Sequence, residues 1–316
     1  MKKRRLGRSS IQVAPLMLGG NVFGWTIDEP QSFKVLDAFV AAGFDFIDTA
    51  DVYSRWAPPN KGGESETILG NWMKQRGNRD KIILATKVGN DMGDGKKGLS
   101  SSYIAQAVED SLKRLQTDYI DLYQSHQDDP QTPIEETLGA YAQLIQQGKV
   151  RVIGASNFTA PRLKESLEVS RQRNYPRYES LQPHYNLYDR ADYETNLEPV
   201  CVQNEIGVIP YLALASGFLT GKYRSEKDLN ASPRARIVKK YLDARGLRIL
   251  AALDEVAKEK NAAPAEIAVA WLIARPSITA PIASATSEQQ LSSLIRATEI
   301  DLDPKSIEKL NQASAY

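Results

Sequence analysis

Four side chains suited to acid–base chemistry stand at or just after short apolar runs of the sequence: Asp48, Tyr53, Lys87 and His126. A tyrosine hydroxyl has a pKa near 10 and exchanges protons poorly at neutral pH, and a neighbouring ammonium group lowers that pKa. A carboxylate keeps a partly buried ammonium group charged. Asp48, Lys87 and Tyr53 therefore predict a tuned proton donor, and a neutral His126 beside them can orient a carbonyl oxygen.

Each of these residues also has a structural explanation when it is taken singly. Asp48 can cap a turn, and Tyr53 can pack at a rim. Lys87 can simply leave the core, and His126 can be a buried histidine with its hydrogen bonds satisfied. Their joint occurrence at consecutive apolar runs favours a shared role.

The apolar runs that carry these residues alternate with longer amphipathic segments. The runs predict eight strands, at 15–20, 44–47, 81–88, 119–125, 150–155, 179–182, 207–212 and 278–282. Helices are predicted at 31–42, 64–76, 101–115, 133–147, 162–173, 193–204 and 287–297. Eight units without a linker favour an α/β fold, a closed (β/α)8 TIM barrel in a single domain over 1–316, rather than a doubly wound sheet. The strands of a barrel end on one face, so the four side chains should converge there.

Two segments lie outside the repeat. Residues 4–6 and 11–13 read as an N-terminal β-hairpin, which we expect to pack outside the barrel. A long loop of roughly 65 residues follows the seventh strand, with helices predicted near 240–260 and 265–274. Its first part, 213–239, is polar and irregular, which is typical of a segment that covers a ligand.

Composition excludes several classes of protein. The 40 Lys and Arg residues against 39 Asp and Glu give a net charge of +1, too small a field to hold nucleic acid or an anionic membrane. No apolar run is long enough to span a bilayer, and the basic start lacks the apolar stretch of a signal peptide. The single Cys201 permits no internal disulfide, and Asp128 and Asp129 are interpreted as loop charges rather than metal ligands. We therefore expect a cytoplasmic protein without metal, nucleic acid or membrane partners.

Six segments resemble the signature segments of the aldo-keto reductase superfamily, in the same order. They are DTADVY (48–53), ATKV (85–88), DLYQSH (121–126), VIGASNF (152–158), QPHYN (182–186) and ASGFLTGKY (215–223). The resemblance covers essentially the whole chain, and it is nearest to the branch of bacterial general reductases and potassium-channel β-subunits. It implies a barrel that binds a nicotinamide cofactor without a Rossmann domain.

The resemblance also implies roles for individual residues. Tyr53 is then the general acid of carbonyl reduction, Lys87 and Asp48 tune it, and His126 orients the carbonyl group of the substrate. The nicotinamide carboxamide is matched to Ser156, Asn157 and Gln182, and the ring stacks on Tyr211. The loop across the pyrophosphate is matched to Leu214, Gly217, Leu219 and Lys222. His184 stands where the family has an ordinary structural residue.

The segment after the eighth strand departs from the family pattern. The family commonly has a basic residue there and a later Glu-Asn pair, which hold the 2′-phosphate and the adenine. Here Thr286 is not basic, and Ser293 and Leu294 replace the pair, although Gln290 suits the channel-like branch. Neutral donors are offered by Ser284, Thr286, Ser287 and Gln290. We expect Arg234 or Arg236 to supply the missing cation, and hence a preference for NADP(H), with NAD(H) as the alternative.

These observations predict an NAD(P)H-dependent enzyme that reduces an aldehyde or ketone, a sugar-derived carbonyl among the candidates. The walls of the substrate pocket are expected from the loop residues Trp25, Arg55, Trp56 and Gln127. The alternative is a cofactor-sensing regulatory subunit with slow turnover. The sequence leaves the oligomeric state open.

Overall fold

The computed structural model describes residues 2–231 and 235–316, and for residues 230, 231, 235 and 236 it describes the backbone only. An antiparallel hairpin of β1 (Arg4–Arg5) and β2 (Gln12–Val13) precedes a parallel sheet of eight strands. The strands of that sheet are β3 (Met17–Gly19), β4 (Phe46–Asp48), β5 (Ile83–Val88), β6 (Ile120–Ser125), β7 (Val150–Ser156), β8 (Tyr178–Gln182), β9 (Gly207–Val208) and β10 (Ile282–Ala283).

Helices connect these strands and pack around the sheet. They are α1 (Glu29–Ala41), α2 (Glu64–Arg76), α3 (Ser101–Leu115), α4 (Ile134–Gln146), α5 (Ala160–Arg173), α6 (Glu198–Gln203), α7 (Ala235–Val238), α8 (Ala244–Lys260), α9 (Pro264–Ala274), α10 (Glu288–Ala297) and α11 (Pro304–Ala313). A π-helical turn, Tyr193–Leu197, leads into α6. Short 3-10 turns lie at Gly20–Val22, Arg79–Lys81, Ala215–Thr220, Glu226–Ala231 and Lys239–Tyr241. In the described part of the chain, no helix is both long and apolar enough to cross a membrane.

The eight strands close into a barrel. The strand order is β10-β3-β4-β5-β6-β7-β8-β9, so β10 and β9 stand at the two ends of the sheet. These ends meet through a parallel bridge between Val208 and Ile278 and through the Ile282 amide, which donates to the Pro210 carbonyl at 2.9 Å. The predicted (β/α)8 barrel is confirmed.

Local capping chemistry explains why two helices match their predicted bounds. α2 ends at Gly77, which has the left-handed φ of 57° that favours glycine. α3 begins after Ser100, whose side chain accepts a hydrogen bond from the Tyr103 amide. The face of α3 that carries Ile104 and Leu115 is buried against the sheet, as its spacing indicates.

The N-terminal hairpin covers the end of the barrel at which the strands begin. Leu6 and Val13 are fully buried, and they pack in one cluster with Met17, Phe46 and Leu122 from inside the barrel. The hairpin therefore lies outside the ring of strands, as expected, but its apolar side chains close the interior at that end. The opposite end, where the strands finish, carries the predicted site.

Several strands are shorter than the sequence indicates: β3 has three residues instead of the predicted 15–20, and the last two strands are shorter still. β9 has two residues instead of the predicted 207–212, and β10 covers only Ile282–Ala283 instead of 278–282. Pro210 and Pro281 have no N–H to donate to a ladder, and Leu212 has a left-handed φ of 57°. The segment after β9 then winds into short helical turns before α8 and α9. α11 is an element that our sequence analysis does not predict.

Candidate active site

The ends of three neighbouring strands bring the four predicted acid–base residues together. Asp48 is the last residue of β4, Lys87 the penultimate residue of β5, and His126 directly follows β6. The turn after β4 carries Tyr53 back over the strand ends. The Lys87 ammonium group donates to Asp48 Oδ2 at 2.6 Å, to the Tyr53 hydroxyl at 2.8 Å and to the Thr49 carbonyl at 2.9 Å. These three contacts account for all three ammonium protons.

The carboxylate of Asp48 is held from both sides. The Tyr53 hydroxyl donates to Oδ2 at 3.1 Å, while the Gln182 and Gln124 amides donate to Oδ1 at 3.1 Å and 3.4 Å. The side chains of Asp48 and Lys87 are 1% and 0% exposed, so this ion pair lies in the protein interior. A buried pair with its remaining hydrogen bonds satisfied is a rigid arrangement that fixes the position of the Tyr53 hydroxyl.

The environment of Tyr53 keeps its hydroxyl protonated. Burial raises the pKa of Tyr53 well above its usual value, and the negative charge of Asp48 raises it further. This direction is opposite to the lowering that our sequence analysis attributes to Lys87. The reason is that the hydroxyl donates its proton to a carboxylate in a buried setting. Burial also lowers the pKa of Lys87, while the charge of Asp48 opposes that change.

His126 stands beside the phenol as a neutral imidazole. Its ring centroid lies 5.9 Å from that of Tyr53, at an interplanar angle of 74°. Burial lowers the pKa of His126 well below its usual value, and the charge of Lys87 lowers it further. Its Nδ1 atom is buried and has no hydrogen-bond partner within the described residues. A neutral imidazole can donate one hydrogen bond to an oxygen atom placed in the cavity.

A further carboxyl group lies beneath this site. Asp51 is buried, and neither of its carboxyl oxygens has a hydrogen-bond partner among residues 2–231 and 235–316. Burial raises the pKa of Asp51 to about 8, and the negative charge of Glu66 adds to the rise. Glu66 is itself paired with Arg114 at 2.6 Å and accepts from the Thr86 hydroxyl at 2.5 Å. Asp51 is therefore protonated at neutral pH.

A cavity of about 580 Å³ opens above these groups and extends along the ends of the strands. Its lining includes Asp48, Tyr53 and His126 at one end. The other predicted site residues that line it are Trp56, Ser156, Asn157, Gln182, Tyr211, Leu214, Gly217, Lys222, Ser284 and Gln290. The structure thus gathers most of the predicted site around one space.

The polar residues after β7, β8 and β9 form a connected set. The Ser156 hydroxyl donates to the Gln182 carbonyl at 2.9 Å, and the Asn157 amide donates to Ser156 Oγ at 3.1 Å. The Tyr211 hydroxyl donates to Asn157 Oδ1 at 2.8 Å. Asn157 has a left-handed φ of 56°, a conformation that asparagine tolerates. It can therefore form the turn after β7 and accept the hydrogen bond from Tyr211 at the same time.

Several other predicted residues lie outside the cavity lining or outside the described residues. Leu219 is fully buried in the main core. Thr286 donates through its amide and hydroxyl to Gln290 Oε1, at 3.0 Å and 3.1 Å, and so acts on the lining through Gln290. Trp25 packs edge-to-face on Trp56 at 5.5 Å, one step behind the lining.

The remaining predicted residues are charged or polar. Arg55 and Gln127 are exposed and do not line the cavity. Arg234 lies outside the described residues, and the side chain of Arg236 does so as well.

Several lining residues were missed by the sequence analysis. Asn21 follows β3 and accepts from the Ser284 hydroxyl, so the reasoning used for the other strand ends would have found it. Ser216, with a left-handed φ of 58°, belongs to a quoted segment and also lines the cavity. Leu212 and Ala213 are apolar and carry no chemical signal in the sequence.

The residues present fit a nicotinamide dinucleotide. The N–H groups of the Asn157 and Gln182 amides already donate within the protein, but their carbonyl oxygens can still accept from the NH2 group of a carboxamide, and Tyr211 offers a flat ring. Lys222 is exposed in the lining and forms no ion pair with the described part of the chain, so its charge is available to a pyrophosphate. Gly217 lies beside the Lys222 side chain and has a φ of 96°, a backbone conformation that residues other than glycine rarely adopt.

Comparisons with known proteins agree with this geometry. The model of the aldo/keto reductase family matches residues 15–315. The chain is 35% identical over 320 residues to the uncharacterised oxidoreductase YrpG of Bacillus subtilis, with 98% of this chain and 95% of the relative covered. It is 34% identical over 309 residues to the aldo-keto reductase YhdN of the same organism, with 96% and 89% covered.

A third relative comes from rice, Oryza sativa subsp. japonica. This probable voltage-gated potassium channel subunit beta is 31% identical over 321 residues, with 98% of this chain and 95% of the relative covered. The family match extends over nearly the whole chain, and the similarity to these relatives is equally extensive. The chain therefore belongs to the aldo/keto reductase family.

Proposed function

We propose that this protein reduces the carbonyl group of a small aldehyde or ketone to an alcohol, with NADPH as the preferred reductant. Nicotinamide-dependent carbonyl reduction is the general activity of the family. The observation that carries the proposal is the contact of Tyr53 with Lys87 and Asp48, at the floor of a cavity that His126 also lines.

In this proposal Tyr53 is the proton donor. Its raised pKa keeps the proton on the hydroxyl until the substrate oxygen gains negative charge as hydride adds to the carbonyl carbon, because only that alkoxide-like oxygen is a stronger base than the phenolate. As the proton leaves, negative charge develops on the phenolic oxygen, and the Lys87 ammonium group at 2.8 Å stabilises it. When bound, reduced nicotinamide supplies a hydride to the carbonyl carbon. Asp48 keeps Lys87 charged and in place.

His126 positions the substrate. As a neutral imidazole beside Tyr53, it donates a hydrogen bond to the carbonyl oxygen without competing with Tyr53 as an acid. Trp56 contacts the Tyr53 ring edge-to-face at 5.9 Å and forms an apolar wall above the reacting atoms. This wall suits the body of a substrate whose carbonyl group points down to Tyr53.

The cofactor preference depends on the adenosine end of the cavity. Lys222 is the cation of the described lining, and we assign it to the pyrophosphate. The neutral side chains of Ser284 and Gln290 also line the cavity. A 2′-phosphate needs a further cation, and we assign that role to Arg234 or Arg236.

The test is the substitution Tyr53→Phe, which removes one hydroxyl group and keeps the ring. We expect kcat/KM for a panel of small aldehydes, followed by the absorbance of reduced nicotinamide, to fall by about 10²–10⁴-fold. Cofactor affinity, measured by fluorescence titration, should change by less than about twofold. Tyr175→Phe is the matched control, because Tyr175 packs against Gly139 away from the site. Activity of the Tyr53→Phe variant within about threefold of the parent would remove Tyr53 from this role.

A second candidate function is a cofactor-sensing regulatory subunit with slow turnover. The rice relative, a probable potassium channel β-subunit, favours it. Steady consumption of many equivalents of NADPH per protein with simple aldehydes would support the enzyme. A single burst that ends with the oxidised cofactor retained on the protein would support the regulatory subunit.

A further inference from the structure

The cavity reaches outward from the strand ends to the helices α9 and α10. Ala265 of α9 lines it there, together with Ser293 and Leu294 of α10, whereas the acid–base residues line it above the sheet. A carboxamide and its ring fit beside Tyr211, and the pyrophosphate is assigned to Lys222. The outer end between α9 and α10 is therefore left for the adenosine.

The proton of the Ser293 hydroxyl is already committed to the protein. This hydroxyl donates to Glu266 Oε1 at 3.0 Å. Glu266 belongs to α9 and its side chain is only 4% exposed, so the contact joins the two helices below the cavity. A hydroxyl group has one proton and two lone pairs. With its proton directed at Glu266, Ser293 can only accept a hydrogen bond from a molecule in the cavity.

The surroundings of Glu266 fix the direction of this hydrogen bond. Glu266 Oε2 accepts from the Ala263 amide at 3.0 Å, and Arg296 Nη2 lies 3.7 Å from the same oxygen. Both of these neighbours are donors, and one of them is a cation. A carboxylate placed between donors accepts from a serine hydroxyl rather than donating to it.

Gln290 lies one helical turn before Ser293 and offers the opposite polarity. Its Oε1 atom accepts from the Thr286 amide at 3.0 Å and from the Thr286 hydroxyl at 3.1 Å. Because a backbone amide can only donate, the oxygen of the Gln290 side chain must be the atom that faces Thr286. Its Nε2 atom has no hydrogen-bond partner within the described residues, so its protons are available to a ligand. Positions three apart lie on the same side of a helix, which places this donor next to the Ser293 acceptor.

Resting on the proposed function, we infer that Ser293 and Gln290 select adenine as the base of the cofactor, and that Glu266 is the positioning residue that sets this choice. The 6-amino group of adenine is a donor, and the neighbouring N7 atom is an acceptor. Ser293 accepts from the amino group and Gln290 donates to N7, while Leu294 and Ala265 offer apolar surface to the ring. Hypoxanthine carries an oxo group at position 6, which would place one acceptor against another.

The experiment measures Kd for NADP⁺ and for its hypoxanthine analogue, nicotinamide hypoxanthine dinucleotide phosphate, by calorimetry at neutral pH. Both molecules carry the nicotinamide, the pyrophosphate and the 2′-phosphate, so the ratio of the two Kd values reports on the base alone. In the parent we expect the analogue to bind about 5- to 30-fold more weakly than NADP⁺. Ser293→Ala removes the acceptor and should reduce this ratio to less than about twofold, mainly by weakening NADP⁺.

Glu266→Gln tests the positioning role, because it reverses one hydrogen bond with little change of shape. The glutamine carbonyl oxygen can still accept from the Ala263 amide, while the NH2 group donates to Ser293. The proton of the Ser293 hydroxyl is then free to donate to the 6-oxo group of the analogue. We expect the ratio to fall by about 5-fold or more below that of the parent. A purely structural role of Glu266 would weaken both cofactors equally and leave the ratio unchanged, which would overturn the assignment.

Two other variants complete the comparison. Ser292→Ala is the matched control and should keep the parental ratio, because Ser292 is an exposed residue of α10 that does not line the cavity. Gln290→Leu should weaken both cofactors by a common factor of about 2- to 12-fold, since both bases keep N7. Unchanged affinity of both cofactors for this variant would overturn the place of Gln290.

The parent and Ser293→Ala decide the base preference even if Glu266→Gln does not fold. Equal affinity of the parent for the two cofactors, or a parental ratio in Ser293→Ala, would overturn the inference and leave the proposed function standing. A parent that binds neither cofactor would instead refute the proposed function.

Discussion

The buried pair of Lys87 and Asp48 allows stability and catalysis to be separated by mutation. Lys87→Met keeps a long unbranched side chain but removes the ammonium group, which lies 2.6 Å from Asp48 Oδ2 in the interior. At an effective dielectric constant of about 20, two unit charges at that distance attract by about 6 kcal/mol. Part of this attraction offsets the desolvation of the two groups. Loss of one partner of a buried pair typically costs about 3–5 kcal/mol, and we expect a loss of that size.

The double variant Asp48→Asn/Lys87→Met provides the contrast. An asparagine at position 48 keeps a carbonyl oxygen for the Gln182 and Gln124 amides, and no uncompensated charge remains. We therefore expect the double variant to recover most of the stability that Lys87→Met loses. It should not recover activity, because no cation is left to stabilise the phenolate of Tyr53, and one such donor is worth about 10²–10³-fold in rate.

Urea unfolding at pH 7 gives the free energy of unfolding of each variant, and kcat/KM with a simple aldehyde gives the activity. If Lys87→Met lowered the free energy of unfolding by less than about 1 kcal/mol, the ion pair would contribute no more than a solvent-exposed pair does. Equal instability of the single and double variants would show that the cost arises from packing and not from the stranded charge. Parental activity in either variant would refute the role of Lys87.

Two other predictions concern groups outside this pair. The folded protein retains the Asp51 proton up to about pH 8, whereas the unfolded chain loses it near pH 4, so stability should fall as pH rises between those values. The Asp51→Asn variant should lack this pH-dependent loss of stability, which amounts to about 1.4 kcal/mol per pH unit. If the free energy of unfolding changed with the same slope from pH 5 to 8 in both proteins, Asp51 would not be the group responsible. Arg234→Ala or Arg236→Ala should lower the affinity for NADPH by about 10- to 150-fold and leave the affinity for NADH nearly unchanged in calorimetric titrations. Equal affinity for NADH and NADPH in the parent would show that neither arginine binds the 2′-phosphate.

Local chemistry made much of the fold and the acid–base set predictable. The bounds of α2 and α3 follow from the signals at Gly77 and Ser100, which act within a few residues. Asp48, Lys87 and His126 could be brought together because parallel strands of a barrel end on one face. That rule needs only the order of the strands and no knowledge of side-chain packing.

The features of the structure that the sequence did not indicate depend on contacts between residues that are far apart in the chain. Leu219 belongs to a segment that follows the family pattern, but which of its side chains turn into the core is decided by packing against other elements. The raised pKa of Asp51 comes from burial and from Glu66, a residue on α2 that the sequence does not place nearby. The stacking of His184 on Tyr211 likewise arises only when the ends of β8 and β9 come together.

The seam at which the barrel closes also has a consequence for biosynthesis. Met17 in β3 pairs with Ile282 in β10, so the first and last strands of the barrel are neighbours in space. During synthesis from the N-terminus, β3 keeps an unpaired edge until residue 282 has left the ribosome. Until then the inward side chains of Met17, Phe46 and Leu122 lack their partners from the last strand. A premature stop before β10 would therefore release an open sheet with an unpaired edge strand and an exposed apolar interior. Such a chain is prone to aggregation or degradation.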